Sequence, residues 1–482
     1  MKTGTLRTRR LVALLAAGAL ALTACGGGDD GGGGADGEGG GSATLLHGIK
    51  GPEEQAALQA MVDAYEESSG NTIEVEASPD FETVVVTRVT GGNPPDVALY
   101  PQPGLLKQTV DQGAAVSFEE AGIEVGDGLV SGMVETGTFD GETYGVVVKL
   151  NVKSLLWYAA DDFEEQGYEV PETWDDMLAL SDTIASDLGG EAGRAPWCIG
   201  IESGGATGWV ATDWIEDIML RLHGPEVYDQ WVNHEIPFDS PEVREAFEEL
   251  EKIWFNEDYV AGGTTAILQT PFADAVSPMF NDPAGCYLHR QAGFITGSFP
   301  EDAEIGTDVE MAYLPPMEDS GVEDPVLFAG DLAAIHTDNE VAADFIEFIV
   351  SAEGQQAWLG HEGAGALAVR TDFDSGDYPN EVLGKQGDIL TNAEVARFDA
   401  SDLMPAEVGG SAFFSEIVAW LSGSQDLDQT LQRIDSAWPE GETSGGSDTG
   451  DAETETSTET ATETETATET ESPTGTETET EG

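Results

Sequence analysis

Along most of this chain, short apolar runs are separated by stretches in which apolar positions recur every three or four residues. The first pattern predicts buried strands and the second amphipathic helices. Residues 43–49 read as a strand, and Lys50-Gly51-Pro52 turns into a helix with Pro52 at a favoured first position. Leu58, Met61, Val62 and Tyr65 then fall at i, i+3, i+4 and i+7, one buried stripe. Ile73, Val75 and Ala77 alternate with polar residues and read as a second strand. Strand, helix and strand in that order predict a right-handed parallel unit. Ligands of such sheets collect beyond the carboxyl ends of strands, which places Lys50, Gly51 and the Asp80-Phe81 turn near a site.

The stretch 144–180 organises the middle of the chain. Val146, Val147 and Val148 read as a buried strand that Lys149 and Asn151 interrupt with polar groups. A second apolar run covers 155–158. An acidic stretch and Pro171 follow, and then a helix start. Thr173 stands three residues before Asp176, a capping-box spacing, and Trp174, Met177 and Leu178 supply the first apolar face. Ser240-Pro241 opens another helix, with Val243, Phe247, Leu250 and Trp254 on one face. Residues 286–294 and 309–314 read as strands, and 328–335 as a turn and strand. A helix carrying Val341, Phe345, Ile346 and Ile349 follows. The mixture predicts an α/β body.

The two ends are of another kind. Lys2, Arg7, Arg9 and Arg10 precede an apolar run at 11–22, the layout of a secretory signal over 1–24. Leu22 to Cys25 resembles a bacterial lipobox, which implies that Cys25 becomes the lipidated first residue. A Gly/Asp-rich tether runs through 25–43. From 439 to 482 Thr and Glu alternate without an apolar period, which predicts a disordered tail. The formal net charge is −75, of which the tail carries about 14. Nucleic acid is thereby excluded as a partner, because phosphate binding needs a basic face. An anionic solute would be repelled, and a neutral one suits the field. With Cys25 lipidated, the 3 Cys leave Cys198 and Cys286 as an even pair, which outside the cell forms a disulfide.

Several segments together resemble family 1 extracellular solute-binding proteins, the sugar receptors of ABC importers. They are the 144–180 block, Gly91-Gly92-Asn93-Pro94-Pro95-Asp96-Val97, the helix from Ser351 with Glu353, Gln355 and Trp358, and Arg397 to Pro405. Pro196-Trp197-Cys198, Gly208-Trp209, Asp213-Trp214 and the 397–405 segment resemble the α-glucoside-binding branch. The resemblance spans roughly 45–439; the Thr/Glu tail departs from it. It implies a two-lobed, type II periplasmic-binding-protein-like α/β fold with hinge crossovers. The expected lobes are 44–148 with 295–350, and 149–294 with 351–438, and the Cys198–Cys286 bond would lie within the second. It further implies a receptor, not an enzyme, held by the lipid on Cys25 at the outer face of the cell membrane. Its partners would be a neutral sugar such as maltose, trehalose or sucrose, and ABC permease subunits.

Candidate ligand contacts follow from chemistry and position. Trp209 offers a flat apolar face with a donor at its edge, suited to the C–H faces of a sugar. Trp214 is open between that role and helix core. Asp213 and Asp331 can accept charge-assisted hydrogen bonds from hydroxyls, and Lys149 or Asn151 can donate at the crossover. Gly330 lets the backbone come close. Tyr100 and Gln102 either face a sugar or decorate a rigid Pro-rich turn. Lys50, Gly51, Asp80 and Phe81 complete the set. No cofactor or metal is expected: the sequence holds no H-E-x-x-H, G-x-S-x-G or P-loop, and its six His lack ligand spacing. A secreted glycoside hydrolase, and a receptor for peptides or compatible solutes, stand as the alternatives.

Overall fold

The computed structural model describes residues 40–439, apart from positions 131, 318, 319, 323 and 362. The expected signal, Cys25, nearly all of the tether and the Thr/Glu tail lie outside those residues. Strand β1 (Ser42–His47) runs parallel to β2 (Thr72–Ala77) on one side and β3 (Val97–Tyr100) on the other. The connecting helix Pro52–Ser69 starts on its proline and buries Leu58, Met61, Val62 and Tyr65, as its periodicity predicts. A short hairpin, β4 (Thr138–Phe139) with β5 (Glu142–Thr143), leads into β6 (Gly145–Val152).

All eight residues of β6 are buried. Lys149 and Asn151 therefore do not break the strand. They share one face of it, because side chains on a strand alternate. After Lys153-Ser154 the chain enters a second sheet. It contains β7 (Leu155–Ala159), β8 (Ala195–Trp197), β9 (Cys286–Arg290) and β10 (Val309–Tyr313), in the order β10-β7-β9-β8. Two later strands, β11 (Pro325–Ile335) and β12 (Val395–Phe398), complete the first sheet. Its order is β12-β11-β3-β1-β2, with β6 paired to β11. Cys198 and Cys286 are disulfide-bonded, 5.4 Å apart at Cα, where β8 and β9 run side by side.

The molecule is two-lobed, and the long strand β11 runs through the middle of the first sheet. Its residues 325–328 pair with β12, and its residues 332–335 pair with β3. β6 runs antiparallel along it, and the register jumps between Asp331 and Leu332. Lys149 faces Asp331 and Val147 faces Leu332, so Val148 is the extra residue of a bulge. Its carbonyl accepts a hydrogen bond from Gln355 Nε2 at 2.8 Å. Gly330 is required here: a Cβ would lie 2.6 Å from the Lys149 carbonyl oxygen.

Besides β12, which joins the first sheet although 351–438 was expected in the second lobe, two segments sit opposite to the expected lobe division. Strand β10, expected in the first lobe, pairs antiparallel with β7 in the second sheet. The helix Ala352–Leu359, expected in the second lobe, packs Trp358 into the core around Leu58, Met61 and Phe345. In both cases partner choice was set by apolar surface distant in sequence. Among the described residues no helix is long and apolar enough to cross a membrane.

Candidate ligand-binding site

A cavity of about 360 Å³ opens beside the paired strands β6 and β11, where the chain passes from the first sheet to the second. The carboxyl end of β1 supplies Lys50 and Gly51, and the helix Phe81–Thr90 supplies Phe81 and Glu82. Lys149, Asn151 and Lys153 come from alternate positions along the crossover, so all three face the same space. The opposite side supplies Trp209, Phe272 and Phe294, and the segment after β12 supplies Asp399, Ser401 and Asp402.

The helix Trp209–Val232 is the main device on that side. Gly208 precedes it at φ 124°, and a Cβ there would sit 2.6 Å from the Phe414 carbonyl oxygen. Trp209, Asp213, Glu216 and Asp217 recur at i, i+4, i+7 and i+8, one stripe aimed at the crossover. Trp209 is partly exposed and edges onto Phe272 and Phe294 at ring-centroid distances of 5.1 and 6.0 Å. Lys153 Nζ lies 5.7 Å from the Trp209 ring centroid, and Lys50 Nζ lies 5.6 Å from that of Phe272. Lys50 also donates to Ser203 Oγ at 2.7 Å. The result is an aromatic wall whose rings already have ammonium groups over them.

Two buried lysines carry the electrostatics. Lys149 Nζ meets Glu54 Oε1 at 2.6 Å and Asp331 Oδ2 at 3.2 Å. Burial disfavours its charge, but Asp331 and Glu54 outweigh burial and raise its pKa. Lys153 Nζ binds Asp213 Oδ1 at 2.8 Å and pairs closely with Asp399 Oδ2. Burial again opposes the charge, and Asp213 and Asp399 overcome it, lifting the Lys153 pKa well above its ordinary value. Around Lys153 the acids outnumber the cations. Burial, helped by Asp399, pushes the Asp213 carboxyl up to about 7 against the pull of Lys153. Glu216, which accepts from the backbone N–H groups of Ala400 and Ser401 at 3.0 and 3.1 Å, is raised well above the carboxylate range by burial and by Asp399. Asp399 alone is held low. Burial opposes its charge, but Lys153 and the N–H of Asp402 win.

Asp213, Glu216 and Asp399 bring carboxylate oxygens within 4.8 Å of one another. The Lys153 ammonium already bonds two of the three, so a protein cation sits among these oxygens. Elsewhere, Asn151 Oδ1 and Gln102 Oε1 are buried with no protein hydrogen bond among the described residues, and both residues line the cavity. Polar groups of this kind bond to something when the site is filled.

Of the residues singled out from sequence, Lys50, Gly51, Phe81, Gln102, Lys149, Asn151, Trp209, Asp213, Gly330 and Asp331 line this cavity. Three do not. Trp214 is 1% exposed and packs between Trp197 and Trp254, at ring-centroid distances of 5.3 and 5.9 Å. Five positions after Trp209 a helical residue points away from the stripe, so Trp214 is core. Tyr100 is also core: its hydroxyl meets His336 Nε2 at 2.9 Å and its ring edges onto Phe81. Asp80 is exposed at the position before the helix Phe81–Thr90 and lies outside the cavity, against Gly204. The reading missed Glu54, Lys153, Phe272, Phe294, Asp399 and Asp402. The spacing Lys149-x-Asn151-x-Lys153 and the stripe from Trp209 were signals for part of this set.

The bacterial extracellular solute-binding protein family model matches residues 60–382. The chain belongs to this family. It is 38% identical over 399 residues to the osmoprotective compounds-binding protein GgtB of Synechocystis, covering 81% of this chain and 91% of that protein. It is 38% identical over 397 residues to the alpha-glucosides-binding periplasmic protein AglE of Rhizobium meliloti, covering 80% and 84%. Among solved structures, the solute receptor AcbH superposes with a TM-score of 0.69 at 17% identity, covering 83% of this chain and 97% of that one. Maltose-bound T. maritima MalE3 superposes with a TM-score of 0.63 at 17% identity, covering 82% and 98%. As an extracellular solute-binding protein of this family, the chain is a solute receptor of an ABC importer and not an enzyme. The glycoside hydrolase alternative is thereby set aside.

Proposed function

We propose that this receptor binds a neutral α-glucoside, a disaccharide such as maltose, trehalose or sucrose, in the cavity beside β6 and β11 and delivers it to ABC permease subunits. The observation that carries this reading is the pairing of an aromatic wall with unpartnered neutral amides in one cleft. Trp209 stacks on a sugar face, Asn151 and Gln102 bond to hydroxyls, and Lys149 with Asp331 holds the polar end of the ligand. Lys50, Gly51, Phe81 and Gly330 shape the opposite side, and Asp213 keeps Lys153 in place. The cavity is lined by seven carboxylates (Glu54, Glu82, Asp213, Asp274, Asp331, Asp399 and Asp402) and three lysines (Lys50, Lys149 and Lys153), which disfavours anionic solutes. The lobes close about the bulge at Asp331. The lipid on Cys25 holds the receptor at the outer face of the cell membrane.

A compatible-solute receptor is the second reading, favoured by the relative named for osmoprotective compounds. Within that class the cleft favours neutral polyols. A quaternary ammonium would meet aromatic faces that Lys50 and Lys153 already cover. A thermal-shift panel of disaccharides, polyols, betaines and peptides separates the readings, because a ligand that binds only the folded state raises its Tm. Stabilisation by an α-linked disaccharide is the expected result, and response to betaine or peptide alone would refute the proposal. In calorimetry, Trp209→Ala weakens the best disaccharide about a hundredfold. Unchanged affinity would remove Trp209 from the stacking role.

A further inference from the structure

Asp402 stands apart from the other acids of the cavity. Its side chain lines the cavity and is only 7% exposed. Its backbone N–H donates to Asp399 Oδ1, yet among the described residues its own carboxyl has neither a hydrogen bond nor an ion pair. The surrounding charges explain why no cation answers it. Lys153, from the crossover, is held by Asp213 and Asp399. Arg290, from β9, sits at Asp213 Oδ2 at 3.4 Å and pairs closely with Asp217. The helix Trp209–Val232 presents Asp213 and Glu216, and β11 presents Asp331, which Lys149 already holds. The helix Pro103–Asp111 packs on this segment through Gly104, and its Lys107 and Asp111 pair with each other. On the neighbouring β12, Arg397 is bound to Asp229.

Four carboxyls (Asp213, Glu216, Asp399 and Asp402) thus share one lysine and the edge of one arginine. Full ionisation would leave uncompensated negative charge in a buried space, and such groups keep a proton instead. We propose that Asp402 is a ligand-contacting residue that works as a neutral carboxylic acid, donating its proton to an acceptor oxygen of the neutral solute. This rests on the reading of the cavity as the solute site. It gives Asp402 the opposite role to Asp331, which accepts from hydroxyls. Burial, with Asp399 beside it, raises the Asp402 pKa well above the ordinary carboxylate value, in the same direction. The binding acid is lost as pH rises through that raised pKa, so affinity declines on the alkaline side.

The test has two arms on the full-length protein. Calorimetry against maltose, trehalose and sucrose over a pH series compares wild type with Asp402→Ala and Asp402→Asn. Asp402→Ala weakens binding about tenfold at neutral pH, a lost hydrogen bond. Asp402→Asn, whose amide also donates, recovers most of that loss and loses the larger part of the alkaline decline. Asp402→Asn binding no better than Asp402→Ala, or keeping the full decline, overturns the proposal. The second arm needs no ligand. The infrared difference between wild type and Asp402→Asn at neutral pH shows the carbonyl band of a protonated carboxyl, and its absence overturns the proposal. Should none of the three sugars bind wild type, the function reading is what fails, and the infrared arm still decides the state of Asp402.

Discussion

Lys149 and Lys153 stand four residues apart on one crossover, look into one cavity and are both buried, yet they solve different problems. Lys149 has two acids and two ways out. Glu54 and Asp331 retain 13% and 17% side-chain exposure, so part of each carboxylate reaches solvent. Lys153 has partners that are 1% exposed, and more acids behind them. The first group is one lysine between two partly solvated acids at the bulge of the β6/β11 pair. The second is an over-acid pocket that depends on its single lysine and on shared protons. The same residue type therefore contributes hinge polarity in one place and structural integrity in the other. Local charge balance, rather than burial alone, decides which.

Removing each lysine should separate the two roles. Lys153→Met leaves Asp213 and Asp399 buried without their cation, and should lower unfolding free energy by about 3–5 kcal/mol in urea titration. A loss below about 1 kcal/mol would mean that the acids neutralise themselves, and that the pocket is not built on the lysine.

A pH series sharpens the Lys149 side. His47 is buried beside that triad, and burial, with the Lys149 charge, lowers its pKa from 6.5 to about 4. It is neutral in the fold, while the unfolded chain takes up a proton below pH 6.5. Its contribution is present above 6.5 and is lost as pH falls toward 4, by up to about 3 kcal/mol. His47→Asn should flatten that part of the stability profile. A profile of unchanged slope in denaturant titrations would deny His47 this role.

The smallest effect is expected for Lys149→Met, about 1–2 kcal/mol, because solvent can take over part of what the lysine gave Glu54 and Asp331. If this loss equals that of Lys153→Met, the contrast between the two clusters disappears.

Much of this architecture was legible in the chain itself. The stripe Leu58, Met61, Val62 and Tyr65 is buried as its period requires. Thr173 Oγ1 accepts from the Asp176 N–H at 3.1 Å, as the capping spacing predicts. The Gly208-Trp209 and Asp213 positions lie at the cleft because one helical face carries both Trp209 and Asp213. Trp214 was ambiguous for the same reason that made it visible: an indole near a glycine reads alike whether its face meets a ligand or Trp197. Asp399 and Asp402 lie far along the chain from Lys153, and no local period links them. Their meeting depends on β12 adding to β11 beside the crossover.

Alone, the sequence determined several of the strands and helices, that the body is a mixed α/β receptor of acidic charge, and which crossover carries polar groups into a cleft. Period, caps and motifs are local properties, and they survive in one dimension. Tertiary structure decided which sheet claims β10, which core claims Trp358, and which acids share Lys153. Those outcomes depend on distant apolar faces packing together, and on charges whose pKa values are set only once water has been removed around them.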